Sequence, residues 1–399
     1  MRRGVVLLAW LLGGLATLLL IVALVAWWLA RPAEPGAFYI APAAVPAEPG
    51  MLLRREAFER AVPAGARAWR ILYTTTDARG AAAQSSAIVM VSRSAPPGPR
   101  PVVAWTHGTT GAVPGCAPSL LADPFANVPA LAALVERGWI FVATDYAGQA
   151  TRGPHPYLIG EGEARSALDA VRAARRMADL QVGPQTVVWG HSQGGHAALW
   201  TGILAPSYAP DVALAGVAAA APASDLQPLI DAVQHTLVGR IMTSYVMRAY
   251  ADTYADVRWD DYVGNSFVRH AAADMARRCL DGGQALYALA VAWGLRGTIF
   301  SADPRGGALG ERLAQNTPDR PILPPLLVAQ GEADDLVLPD VQARWVTRRC
   351  AAGQPIDYRP YAARDHLSLV APDAPFSADL ARWTEDRFAG RPAATTCSN

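Results

Sequence analysis

A single serine stands in "VVWGHSQGGHAALW", Val187–Trp200, held between Gly190 and Gly194. A β-branched run stops at the first glycine, and helix-forming residues follow the second. A G-x-S-x-G pattern in a strand–turn–helix context is what a nucleophile elbow requires. The turn lifts the hydroxyl clear of the chain, and the helix aims free N–H groups and its positive end at charge developing on a substrate oxygen. Ser192 is therefore the expected nucleophile of an acyl transfer. The two glycines are expected to permit a strained backbone and close approach of neighbouring chain. The amide of Gln193, the residue after the nucleophile, would donate to the oxyanion.

A second oxyanion donor should come from the loop after the third strand. "WTHGTTG", Trp105–Gly111, stands there. Gly108 allows a sharp turn that leaves the Thr109 amide free, with Thr110 as the alternative register. His107 reads as a brace for this loop rather than a proton carrier. The acid and base should then follow the serine in chain order. "PPLLVAQGEADD" places Asp334 just past a strand end at a G-x-x-D spacing; Asp335 beside it and Asp225, in "APASDL", are the alternatives. His366, in "ARDHLSLV", is downstream of every one of these acids and is the expected general base. His191 and His196 flank the elbow and are expected to point away or pack. His155, His235 and His270 lack a matching strand-end position. In this reading Ser192 attacks an acyl carbonyl, and His366 takes its proton and returns it to the leaving alcohol. Asp334 orients the imidazole, and the amides of Thr109 and Gln193 hold the oxyanion. No metal or cofactor is expected, because no H-E-x-x-H, Walker loop or EF-hand pattern occurs.

These positions need a scaffold, and strand-like and helix-like segments alternate along the chain. "AWRILYTTT" and "SSAIVMVS" read as an early strand pair, followed by "RPVVAWTHG", a helix near Val128–Arg137 and "GWIFVATDYAG". A helix through "EARSALDAVRAARRMA", the strand "QTVVW", the elbow helix and "DVALAGVAAAAPASDL" come next. The rhythm predicts an α/β fold, a mostly parallel sheet with helices on both faces. It breaks between residues 227 and 320, which are helix-like and read as an inserted helical cap. The core is thus expected in two parts, 51–226 and 321–399, the second ending in a tail. Residues 31–50, rich in Pro, Ala and Gly, read as a stiff extended linker.

Residues 1–30 form a transmembrane-length segment. Arg2 and Arg3 precede an uncharged run from Gly4 to Ala30, longer than a cleavable signal's apolar region and without a clean A-x-A site. A signal-anchor with its N-terminus inside is favoured over a removed signal; either way the remainder is exported. The net charge of +1 over 399 residues argues against nucleic acid as a partner, since no basic excess exists to neutralise phosphates. Every basic residue apart from histidine is arginine. Cys116, Cys279, Cys350 and Cys397 lack zinc-ligand spacing. In an oxidising compartment they suggest two disulfides of open connectivity.

At these residues the chain resembles the secretory lipase family, the lipase A-like α/β-hydrolases of fungi and bacteria. The likeness rests on "HGTTG" followed by "CAPS", on "DYAG" with "HPYLIGEGEARSALDAVRAAR", on "GHSQGGHAALW", and on "GEADDLVLP" with "DHLSLV". The resemblance implies a serine ester hydrolase acting on lipid-like acyl esters, with a helical cap forming the acyl tunnel. It also implies pairing Cys116 with Cys279 and Cys350 with Cys397. The membrane-length N-terminus departs from the cleaved signal of secreted members. The expected partners are a lipid or other ester substrate and a membrane. Other readings of the same triad are an esterase on short-chain or other esters, an acyltransferase and a serine peptidase. From a different class comes a membrane-tethered lipid-binding protein without turnover, against which the intact Ser–Asp–His order argues.

Overall fold

A computed structural model describes residues 2–42, 44–95 and 97–397. Met1, Ala43, Pro96, Ser398 and Asn399 lie outside the described residues, and with them the outermost positions of the expected anchor and tail. The strands are β1 (Leu52–Phe58), β2 (Ala66–Thr76), β3 (Ala82–Ser92), β4 (Arg100–Thr106), β5 (Ile140–Thr144), β6 (Val182–His191), β7 (Ala213–Ala220), β8 (Leu326–Gly331) and β9 (Asp357–Tyr361). They form one sheet in the order β1-β2-β3-β5-β4-β6-β7-β8-β9. From β5 to β9 every pairing is parallel, whereas β1, β2 and β3 add on antiparallel.

The helices are α1 (Arg2–Leu29), α2 (Leu131–Glu136), α3 (Gly160–Arg175), α4 (Gln193–Tyr208), α5 (Leu226–Val233), α6 (Leu237–Thr253), α7 (Trp259–Tyr262), α8 (Ser266–Met275), α9 (Gly282–Gly294), α10 (Gly307–Gln315), α11 (Pro339–Ala351) and α12 (Pro375–Phe388). Burial explains the unbroken apolar runs of the central strands. Val102 and Ala104 pack with Leu168 and Val171 of α3 and Leu199 of α4 on one face. Val103 and Trp105 pack with Leu134 of α2 and Phe376, Leu380 and Trp383 of α12 on the other. A strand covered on both faces needs no polar alternation. Helices α5–α10 lie between β7 and β8, where the sequence reading expects a cap, and pack around a separate apolar cluster that Ala112, Tyr157, Leu158 and Ile159 join from the core.

Two elements differ from expectation. Strand β1 and helix α12 were not anticipated, the latter lying within the expected tail. Residues 31–50, expected as an extended linker, are packed on the core in part. Phe38 and Tyr39 are buried against Leu72, Ala117 and Ala150, and Tyr39 Oη lies 2.9 Å from Ser119 Oγ.

Cys116 bonds Cys279 across 163 positions, and Cys350 bonds Cys397 across 47. The first ties the loop after β4 to the turn between α8 and α9, where Leu280 N donates to Thr110 O. Cross-linking restricts the unfolded chain, more so for longer loops. Replacing either pair by serines is therefore expected to cost roughly 2–5 kcal/mol, the Cys116–Cys279 pair more. Thermal melting of the two double variants would measure this; equal melting to the parent would contradict it.

Candidate active site

The elbow forms where β6 runs into α4. Ser192 has φ 59° and ψ −121°, a strained conformation for a residue with a Cβ. The flanking glycines serve only one of the two purposes expected of them, because neither carries the positive φ. A Cβ on Gly190 would lie 1.9 Å from Gly194 O, and one on Gly194 would lie 1.9 Å from Thr106 O. Their role is close approach alone, and the strain sits on the serine. Thr106 secures the turn from β4: its Oγ1 is within hydrogen-bond distance of Trp189 O (2.9 Å) and Gly194 O (2.7 Å).

Ser192 N donates to Ala220 O, which leaves Gln193 N, the first N–H of α4, ahead of any helical acceptor. Among the described residues, neither Gln193 N nor Thr109 N is used in a backbone hydrogen bond. Both residues line the same cavity as Ser192. Thr109 Oγ1 is held by Tyr157 Oη at 3.0 Å. Thr110 instead faces inward, its Oγ1 accepting from Gln149 Nε2. Gly108 is not a positive-φ turn; it lies flat against His191 O, 3.2 Å from where its Cβ would be, and Gly111 takes the left-handed φ of 136°.

Asp334 follows β8 and His366 follows β9, and the structure brings them together: His366 Nδ1 lies 2.8 Å from Asp334 Oδ2. Asp334 is surrounded by donors. Its Oδ1 accepts from Leu336 N and Val337 N, and its Oδ2 also accepts from Gln330 Nε2. The alternatives are engaged elsewhere or open to solvent. Asp225 pairs with Arg348 at 2.7 Å, and Asp335 is exposed. Among the described residues no hydrogen bond joins Ser192 Oγ to His366. The two are linked through His191, whose ring packs on His366 at 4.6 Å and whose Nε2 donates to His366 O at 2.9 Å.

Sequence reasoning missed a buried polar network behind Gln193. Glu163, fully buried on α3, accepts from Gln193 Nε2, Leu158 N and His196 Nδ1. His196 Nε2 donates to Asn316 O at the end of α10, and Trp200 Nε1 donates to the same oxygen. Core, elbow and helical insertion are thus joined by one chain of hydrogen bonds. His196 does pack rather than face the cavity, as expected, and His107 does brace its loop through Gly108 O and Tyr146.

Burial pushes the His107 imidazole down to about 4, and hydrogen bonds to neighbouring carbonyls offset only part of this. Burial, then nearby His107, pushes His155 down to about 3. Burial and adjacent His366 hold His191 well below its ordinary range. An unfolded imidazole titrates near 6.5. Below that pH the unfolded chain binds protons the folded one refuses, so stability is full above about 6.5 and falls as pH drops toward 4. The melting temperature is expected to decline steadily from pH 7 to 4.5, and a flat profile there would contradict these burials.

The cavity over Ser192 is mostly apolar: Leu229, Ile230 and Val233 of α5 and Met242 and Val246 of α6 line it, with Thr243 and Tyr157 as further polar residues. Among the described residues no cluster of three or more His, Cys, Asp or Glu side chains could hold a metal ion.

The parallel sheet with its strand–elbow–helix, followed by an acid after β8 and an imidazole after β9, defines an α/β-hydrolase. The chain belongs to the secretory lipase family, whose family model matches residues 126–396. It is 24% identical over 395 residues to Lipase A of Arthroderma benhamiae, covering 90% of this chain and 80% of that relative. It is 22% identical over 290 residues to Lipase 5 of Candida albicans, where the match spans 67% of this chain and 59% of the relative's length. The fold is similar to the X-ray structure of Candida antarctica lipase A, with a TM-score of 0.75 and 19% identity over 92% of this chain and 89% of that one.

Proposed function

We propose that this chain is an exported serine carboxylic-ester hydrolase that cleaves acylglycerol-type esters through an acyl-enzyme. The observation that carries the reading is the shared cavity, in which Ser192, Thr109 and Gln193 stand together in a mostly apolar lining. An acyl chain would lie against α5 and α6 with its carbonyl carbon at Ser192 Oγ. The proton passes to His366 Nε2, and Asp334 steadies the resulting imidazolium. The oxyanion is held by two amides that are otherwise free. His366 returns that proton to the leaving oxygen, and loss of the alcohol leaves an ester on Ser192, which water hydrolyses with His366 again acting as base.

Residues 10–28 form a helical stretch long and apolar enough to span a bilayer, with a mean hydropathy of 2.3. Together with the family this supports export, and we read α1 as a retained anchor with the catalytic body outside.

Hydrolysis of p-nitrophenyl esters from acetate to palmitate by the full-length chain tests the reading. Turnover rising toward longer acyl groups is expected. Turnover confined to the shortest esters would make this an esterase of small acyl groups, and no turnover by folded protein would overturn the proposal.

A further inference from the structure

Helix α9, Gly282–Gly294, has the sequence "GGQALYALAVAWG" and carries no acidic or basic side chain. Ala288 and Ala292 face its neighbours and are buried, while Leu286 is 70% and Trp293 79% exposed. With exposed Ala290 between them, these residues follow a spacing of four and three and form one stripe along the outer face. A helix facing water normally puts charge on that side, and an uncharged outer face of Leu, Ala and Trp calls for an apolar cover.

Where the cover comes from is indicated by α1, which packs against α9. Arg278, in the turn just before α9, is buried and donates from Nη1 to Ala30 O at 2.8 Å. Its guanidinium also lies 4.5 Å from the Tyr287 ring and 5.8 Å from the Trp27 ring. Tyr287 Oη and Arg278 Nη2 both bond Asp274, at 2.8 and 2.6 Å. From the other side, Gly115 sits so close to Ala33 O that a Cβ would meet it at 2.2 Å. The exit of α1 is therefore clamped between α9 and the loop that Cys116–Cys279 secures, and the body cannot swing freely about its anchor.

We propose that α9 is a second membrane contact: with α1 in the bilayer, Leu286, Ala290 and Trp293 lie in the lipid interface of the same membrane. This rests on reading α1 as a retained anchor. The chemistry fits, because an uncharged helix about 20 Å long with an outward Trp is suited to the boundary between headgroups and acyl chains. The arrangement also has a consequence for substrate. Helix α6 packs on α9 and lines the Ser192 cavity through Met242 and Val246, so the acyl site is one helix away from the lipid. Esters dissolved in the anchoring membrane are the substrates it would favour.

All four cysteines are paired, so a cysteine placed on the surface is the single reactive thiol. An environment-sensitive fluorophore is attached to W293C, and in a control to R382C on α12 of the core, in the full-length chain reconstituted in phosphatidylcholine vesicles. The W293C label is expected to emit to the blue and to be quenched several-fold more by shallow doxyl-lipids than the R382C label. Equal, aqueous emission from both, in protein that stays with the vesicles through an alkaline wash, would overturn the proposal. A blue shift without doxyl quenching would also overturn it, in favour of a second copy of the chain covering α9. Release of the protein by the wash would remove the anchor reading itself, and this inference with it.

Discussion

Ser192→Ala is expected to lower kcat for ester hydrolysis by on the order of 10^6-fold while leaving KM and the melting temperature close to those of the parent. The size follows from what the oxygen does: without it no acyl-enzyme forms, and water must attack directly in a site built for a tethered nucleophile. The residual rate over water would come from the oxyanion donors and the apolar cavity, which the substitution leaves intact. Stability should be unaffected because alanine keeps a Cβ and must accept the same φ of 59°, so backbone strain is neither relieved nor added. The side chain is half-buried and makes no hydrogen bond that holds the fold among the described residues. A variant retaining even a tenth of parental turnover, from protein free of contaminating esterase, would remove Ser192 from the nucleophile role.

The turn at Ser192 and the pairing of Asp334 with His366 were legible because the chemistry sought in the sequence restricts both residue type and address. A serine between close-packing glycines after a strand is a local pattern. Asp334 follows β8, "LLVAQG", apolar and buried throughout, whereas His366 follows the partly buried edge strand β9, "DYRPY", and was found by its place in chain order. What escaped was non-local. Glu163, Gln193, His196 and Asn316 meet across gaps of 30, 33 and 120 positions, and no local spacing announces that a glutamate near the start of α3 will bind the side chain of Gln193. The role of Gly190 and Gly194 was half read for a similar reason. Sequence shows that a Cβ is missing, but only the path of β4 beside the turn shows that Thr106 O occupies its place. Strand β1 is an edge strand of "LLRREAF", too charged to read as buried. Helix α12 did carry a signal, since Phe376, Leu380, Trp383 and Arg387 recur at spacings of four, three and four on its buried face. Its position after the last catalytic candidate made it look like tail.

Asp334→Asn is expected to lower kcat by about 10^4-fold with little change in KM, although it is the smallest change of shape available at that position. The environment of the carboxylate explains why so slight a change costs so much. Its two oxygens face donors only: Leu336 N and Val337 N on Oδ1, and Gln330 Nε2 and His366 Nδ1 on Oδ2. An asparagine has one acceptor to offer and must turn its NH2 toward one pair of donors. If it keeps both backbone amides, the NH2 meets His366, and the imidazole can satisfy it only by carrying its proton on Nε2, where it can no longer accept from Ser192. The base is then held in the wrong tautomer, and the positive imidazolium of the transition state also loses its counter-charge. If the amide flips, the backbone N–H groups of half-buried Leu336 and buried Val337 lose their acceptor, and the loop that carries both residues into the cavity loosens. The two outcomes separate experimentally. The first leaves the melting temperature intact and removes the activity, and the second lowers both. The first is expected, because it sacrifices one contact to a side chain and keeps two to the backbone. Activity within tenfold of the parent would mean that the Asp334–His366 hydrogen bond does not orient the base, and that the acid must be sought at another residue.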